Sequence, residues 1–135
     1  MAINLNSLRK GNIVAFTGGE KPRPVIVCEI RENNILVKDY TVGPWNLLCL
    51  SRNVDYVALT DKLLETLGFE PPYPGGRWHR LKFFAIAINP NDVSLELWNL
   101  AFQVPQNFFL HSLQNLYFSL TGEELPVDKI QCEGI

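Results

Sequence analysis

The most regular pattern of apolar and polar positions lies near the end of the chain. From Leu110 to Leu125 it reads LHSLQNLYFSLTGEEL, where Leu110, Leu113, Leu116, Tyr117 and Leu120 recur at spacings of three and four, the interval that lines one face of a helix. Gly122 follows the stripe and can take the left-handed conformation that closes a helix, and Pro126 prevents its resumption. The expected helix runs from Phe108 to Leu120 and, being marginal alone in water, has to cover a sheet or other helices. Phe118 and Gln114 fall off the stripe, so Phe118 is expected either to pack on another segment or to be exposed as a contact.

Upstream the pattern is that of strands. Ile13 to Thr17 ends at Gly18-Gly19, Val25 to Ile30 is rich in β-branched residues, and Asn33-Asn34 turns the chain into Ile35 to Tyr40. Gly43-Pro44 separates these from Leu47 to Leu50 and Val54 to Leu59. Such closely spaced short strands predict an antiparallel meander, an SH3-like barrel or a curled sheet, because a small sheet removes its edges most readily by closing. Thr60 can cap a short helix, Asp61 to Leu67, that buries Leu63, Leu64 and Leu67 and ends at Gly68. Glu70 to Gly76 reads EPPYPGG and is a loop, since its prolines remove backbone donors. Leu81 to Ile88 and Val93 to Trp98 flank Asn89-Pro90-Asn91-Asp92 and predict a β-hairpin. The first of these runs is apolar on both faces except at Lys82, as in a covered central strand. A short extended piece, Ala101 to Val104, then leads to the last helix.

The fold class is therefore α+β, with an N-terminal meander, a short central helix, a hairpin and a C-terminal covering helix. One domain, 1–135, is expected: meander 1–58, helix 59–70, loop 71–77, hairpin plus helix 78–125, tail 126–135. A length of 135 residues, 47% hydrophobic and 19% charged, fits a single folded core. No apolar run reaches the roughly 18 residues of a membrane span and the first residues lack a signal-like apolar core, so no membrane contact and a cytoplasmic location are expected. Net charge is −2 and unevenly divided: residues 1–58 carry +2 and residues 59–135 carry −4, too slight an asymmetry to name nucleic acid as a partner.

Catalytic chemistry finds little support. Cys28, Cys49 and Cys132 have no C-x-x-C spacing and, with His79 and His111, no metal-ligand spacing, so neither a disulfide framework nor a metal nor a cofactor is expected. Cys28 and Cys49 lie in apolar runs and read as small core residues. His111 and Ser112 are neighbours that point about 100° apart on a helix and cannot pair, so a structural hydrogen bond is the expectation for His111. A hydrolase using His111, Glu123 or Glu124 would need a pocket holding at least two of them. No catalytic residue is assigned. The most informative surface stretch is Tyr73 to Lys82, YPGGRWHRLK, where Tyr73, Arg77, Trp78, His79, Arg80 and Lys82 mix aromatic and basic groups. That mixture serves protein hot spots and also contacts phosphate while stacking on bases. It is equally the composition of a solvated loop. Phe118, Glu123 and Glu124 are further candidate contacts.

Three blocks, LRKGNIV from Leu8, VALTDKLLETLGFE from Val57 and HSLQNLYFSLTGEEL from His111, resemble in order and spacing a family of small proteins of Bacteroidetes genomes and their phages and mobile elements. The chain departs from that pattern at Pro71 to Pro74 and in the apolar run from Leu81. The resemblance carries no reaction, ligand or catalytic residue. The absence of catalytic spacing, together with this resemblance, points to a non-enzymatic binding protein of a phage or other mobile element that contacts a host or phage protein, as an accessory or inhibitor; nucleic-acid binding through the slightly basic front half and Arg77 to Lys82 is the alternative. No oligomeric state follows from it.

Overall fold

A computed structural model of the protein describes residues 4–39, 47–50, 52–104, 108–127 and 130. The expected meander is present as β1 (Ile13–Phe16), β2 (Arg23–Ile30), β3 (Ile35–Lys38), β4 (Leu47–Leu50) and β5 (Val54–Asp55), all paired antiparallel in the spatial order β4-β3-β2-β1-β5. A register shift between Val27 and Glu29 bulges the long β2, which bends and twists the sheet. β5 comes back to the free side of β1, yet among the described residues no ladder joins it to β4. Of the two expected forms the sheet is thus the curled one, not a closed barrel. The run Val54 to Leu59 is a strand only at Val54–Asp55; beyond it Val57 and Leu59 are buried, and the Val57 carbonyl accepts the Leu110 N–H at 2.9 Å.

Side-chain alternation lets β1 serve two cores. Val14 joins Val25, Val27, Ile35 and Val37 in one apolar cluster, while Ile13 and Ala15 join the other. That second cluster is built by α1 (Asp61–Thr66), α2 (Leu110–Thr121) and a second sheet. The Thr60 hydroxyl caps α1 by accepting the Leu63 N–H at 3.1 Å, and Leu63, Leu64 and Leu67 are buried as expected. In α2, Leu110, Leu113 and Tyr117 are buried, Leu116 is half-buried and Leu120 is 40% exposed, so the stripe reaches past its cover in the last turn. Gly122 closes the helix at φ 74°, with its N–H on the Phe118 carbonyl at 2.8 Å.

The second sheet departs most from expectation. The run Leu81 to Ile88 is not one strand: β6 (His79–Leu81) turns at Lys82-Phe83 into β7 (Phe84–Ile88). After the expected turn, β8 (Val93–Leu97) turns at Trp98-Asn99 into β9 (Leu100–Phe102), and the order is β6-β7-β8-β9. Lys82, Trp98 and Asn99 have φ of 54°, 52° and 65°, values that bulky residues rarely adopt. Only Asn99 announces such a turn in sequence. The two turns hold each other: the Phe83 and Trp98 rings stack at 4.2 Å, 5° from parallel, and the Trp98 N–H donates to the Phe83 carbonyl at 3.0 Å. Among the described residues no helix is long and apolar enough to cross a membrane.

Candidate functional site

The first and last sequence blocks meet in a polar lock. Gln114 is fully buried: its Oε1 accepts the Ile13 N–H at 2.8 Å and its Nε2 donates to the Gly11 carbonyl at 3.0 Å. Asn115 Oδ1 accepts from Asn12 Nδ2 at 2.8 Å and from Arg9 Nε at 3.1 Å. The Arg9 guanidinium continues to Glu124, bidentate at 2.6 and 3.1 Å, and lies 4.5 Å over the Phe118 ring. LRKGN and QN-x-x-F-x-x-x-x-x-E are therefore complementary surfaces of one fold. Glu123 pairs with Lys82 at 2.7 Å; this hydrogen bond holds the carboxyl below its ordinary pKa and the ammonium above its own. Phe118, 39% exposed, is partnered within the chain, so Phe118→Ala should lower stability by only about 1 kcal/mol in urea unfolding, the size of an exposed cation–π contact.

The stretch Tyr73 to Lys82 is divided by strand alternation. His79 points inward, 1% exposed, with Nδ1 3.7 Å from Asp61 and Nε2 3.5 Å from Glu65, two carboxylates one turn apart on α1. Its nitrogens face different carboxylates, so the three groups do not converge on one point. Lys82 is committed to Glu123, and Arg77 donates to Asn89 Oδ1 at 2.9 Å. Tyr73, 80% exposed, and Arg80 remain on the surface, while Trp78 is half-buried.

Trp78 stands at the edge of a groove of about 630 Å³ on the face of the second sheet opposite the helices, together with Asp92, Ser94, Glu96, Ala101 and Gln103. The register puts Ser94, Glu96 and Ala101 on one side of the sheet. Arg80 faces Ala85, Ala85 faces Glu96 and Glu96 faces Ala101, while Ala87 faces Ser94 in the next row. The groove lies over β8 and β9; Ala85 and Ala87 of β7, at 3% and 0% exposure, are covered and do not line it. Of the residues lining this groove the sequence singled out Trp78, and not Asp92, Ser94 or Glu96, whose common side depends on a register not readable in advance. On the helix-covered face, Leu100 pairs with Leu97 and Phe102 with Leu95, yet Leu100 is 63% and Phe102 46% exposed. The apolar face thus extends beyond its cover onto β9.

A second hollow, about 420 Å³, is lined by Asn4, Tyr56, His111 and Ser112 among others. His111 makes a different contact from the expected hydrogen bond: its ring stacks on Tyr56 at 5.1 Å, and its buried Nδ1 has no hydrogen-bond partner among the described residues. Ser112 Oγ accepts the Phe109 N–H at 3.2 Å and so serves the helix start. His111 and the glutamates stand at opposite ends of α2, about 18 Å apart by helical rise, and share no pocket. Burial pushes the His111 pKa below its ordinary 6.5. The folded protein then keeps the ring neutral while the unfolded chain takes up a proton, so stability is full above 6.5 and is lost as pH falls from there towards the lower folded value. His111→Phe keeps a ring on Tyr56 without the titration; its Tm should fall less than that of the native chain between about pH 7 and about pH 5.5.

Cys28 is half-buried at the β2 bulge, whereas Cys132, and the side chain of Cys49, lie outside the described residues. Compared with protein-family models, with curated proteins and with solved structures, the chain matches none of them.

Proposed function

We propose that the chain is a non-enzymatic binding protein of a phage or other mobile element, working in the cytoplasm on a host or phage protein through the groove beside Trp78, as an accessory factor or inhibitor. The observation that carries this reading is the groove itself: a half-buried Trp78 at the edge of a hollow lined by Asp92, Ser94, Glu96, Ala101 and Gln103, in a chain that also exposes Tyr73 and Arg80. Trp, Tyr and Arg are the residue types that dominate protein hot spots. The resemblance of the LRKGNIV and HSLQNLYFSLTGEEL blocks to mobile-element proteins supplies the setting.

Electrostatics favour a protein over a nucleic acid. Asp92 and Glu96 line the groove and would repel phosphates, while His79 is buried and Lys82 is paired. The partner surface is accordingly neutral or basic. Affinity purification from the native host should recover one reproducible protein with the native chain and lose it with Trp78→Ala, a drop of about tenfold or more in affinity. Equal capture by both chains, or strong salt-sensitive binding to DNA or RNA in its place, would overturn the reading.

A further inference from the structure

The two edges of the second sheet are treated differently. At β6 the backbone of Glu70 pairs with Arg80, N–H to carbonyl at 2.7 and 3.2 Å, and closes that edge. At β9 no strand among the described residues lies on the far side. Natural edges are blunted by charge, proline or a bulge. β9 is short and Pro105 follows the run Trp98-Asn99-Leu100-Ala101-Phe102-Gln103-Val104, but the run itself carries no charge and no proline, and its apolar side chains Trp98, Leu100 and Phe102 are 57%, 63% and 46% exposed.

We infer that β9 pairs with β9 of a second copy of this chain, antiparallel and with Ala101 on the two-fold axis. The two-residue turn at Trp98-Asn99 makes Leu97 and Leu100 a hydrogen-bonded pair, so alternation turns the N–H and C=O of Ala101 outward. Two copies can exchange both of those bonds at one point. About that axis the run is self-complementary: Leu100 meets Phe102 of the second copy, Asn99 approaches its Gln103, Trp98 approaches its Val104, and Ala101 meets Ala101 with only two methyl groups to accommodate. Glu96 lies one strand in from Ala101, so the two Glu96 carboxylates stand three strand spacings apart, about 14 Å, beyond the reach of strong repulsion in physiological salt. The grooves of the two copies then run on into each other across the axis. The inference does not depend on what occupies them. With a ladder of three residues per copy the interface falls short of the roughly 1,000 Å² of a stable complex, so the association is weak and concentration-dependent.

Sedimentation of the purified chain alone tests it, without any partner and therefore separately from the capture experiment. The native 15.4 kDa chain should move towards twice its mass as concentration rises to about 1 mM. Ala101 is exposed on the groove face. Ala101→Glu and Ala101→Lys each set like charges about 5 Å apart on the axis and should each weaken self-association by about tenfold or more, with unchanged circular dichroism. An equimolar mixture of the two variants should regain the dimer. A native chain that stays monomeric, a variant that dimerises as the native chain does, or a mixture that stays monomeric overturns the proposal.

Discussion

Phe84→Ala should lower the unfolding free energy by about 3–5 kcal/mol, read as a fall in the urea midpoint with an unchanged slope. Phe84 is 1% exposed on the helix-covered face of β7, where it opposes Leu97. Its ring centroid lies 5.2 Å from that of Tyr117 and 4.9 Å from that of Phe83. Truncation therefore opens a cavity between α2 and the sheet that neighbouring side chains cannot fill without leaving their own contacts. It also loosens Phe83, whose stack with Trp98 holds the two strained turns together. A loss below about 1.5 kcal/mol would mean that α2 does not rest on β7.

Gln114→Leu is expected to cost about 2–5 kcal/mol although it exchanges side chains of similar volume for a more apolar one. A simple hydrophobic ledger predicts stabilisation. The opposite sign is expected because Leu cannot pair the Ile13 N–H and the Gly11 carbonyl, and each buried backbone group left without a partner costs about 1–3 kcal/mol. Hydrogen exchange locates the effect: the Ile13 amide should lose protection well before the centre of β7 does. An unchanged Ile13 amide would show that water or another group replaces the Gln114 side chain.

Much of this architecture was legible in sequence wherever one local rule decided the matter. The apolar stripe and Gly122 gave α2, Thr60 and Gly68 bounded α1 closely, and the β-branched runs separated by Gly, Pro and Asn gave the first sheet. Where tertiary contacts override local preference the sequence is silent. Lys82 and Trp98 adopt positive φ because the Phe83–Trp98 stack holds them, and nothing in LKFFAIAI marks the turn. Gln114 read as a polar side of α2 and is fully buried, because its partners are backbone groups a hundred residues away. Of the candidate groove only Trp78 was singled out in the sequence. Its companions Asp92, Ser94 and Glu96 share a face with it through a strand register that the extra turn at Lys82 establishes.

If the groove and β9 are both used, the protein presents two copies of one acidic, Trp-edged surface side by side, and a partner with two matching sites would be held more tightly than one copy could hold it. Stability and contact would then be divided cleanly. The Arg9, Gln114 and Glu124 lock keeps the first and last blocks together, and the face turned away from the helices would be left for the proposed contact.

Hydrogen–deuterium exchange of the chain, free and bound to the captured protein, measures that division directly. New protection is expected across Trp78 to Leu81 and Ser94 to Gln103, with the Gln114 to Glu124 segment unchanged. Protection confined to Gln114 to Glu124 and Arg9 to Asn12, with the groove strands unaffected, would contradict the account.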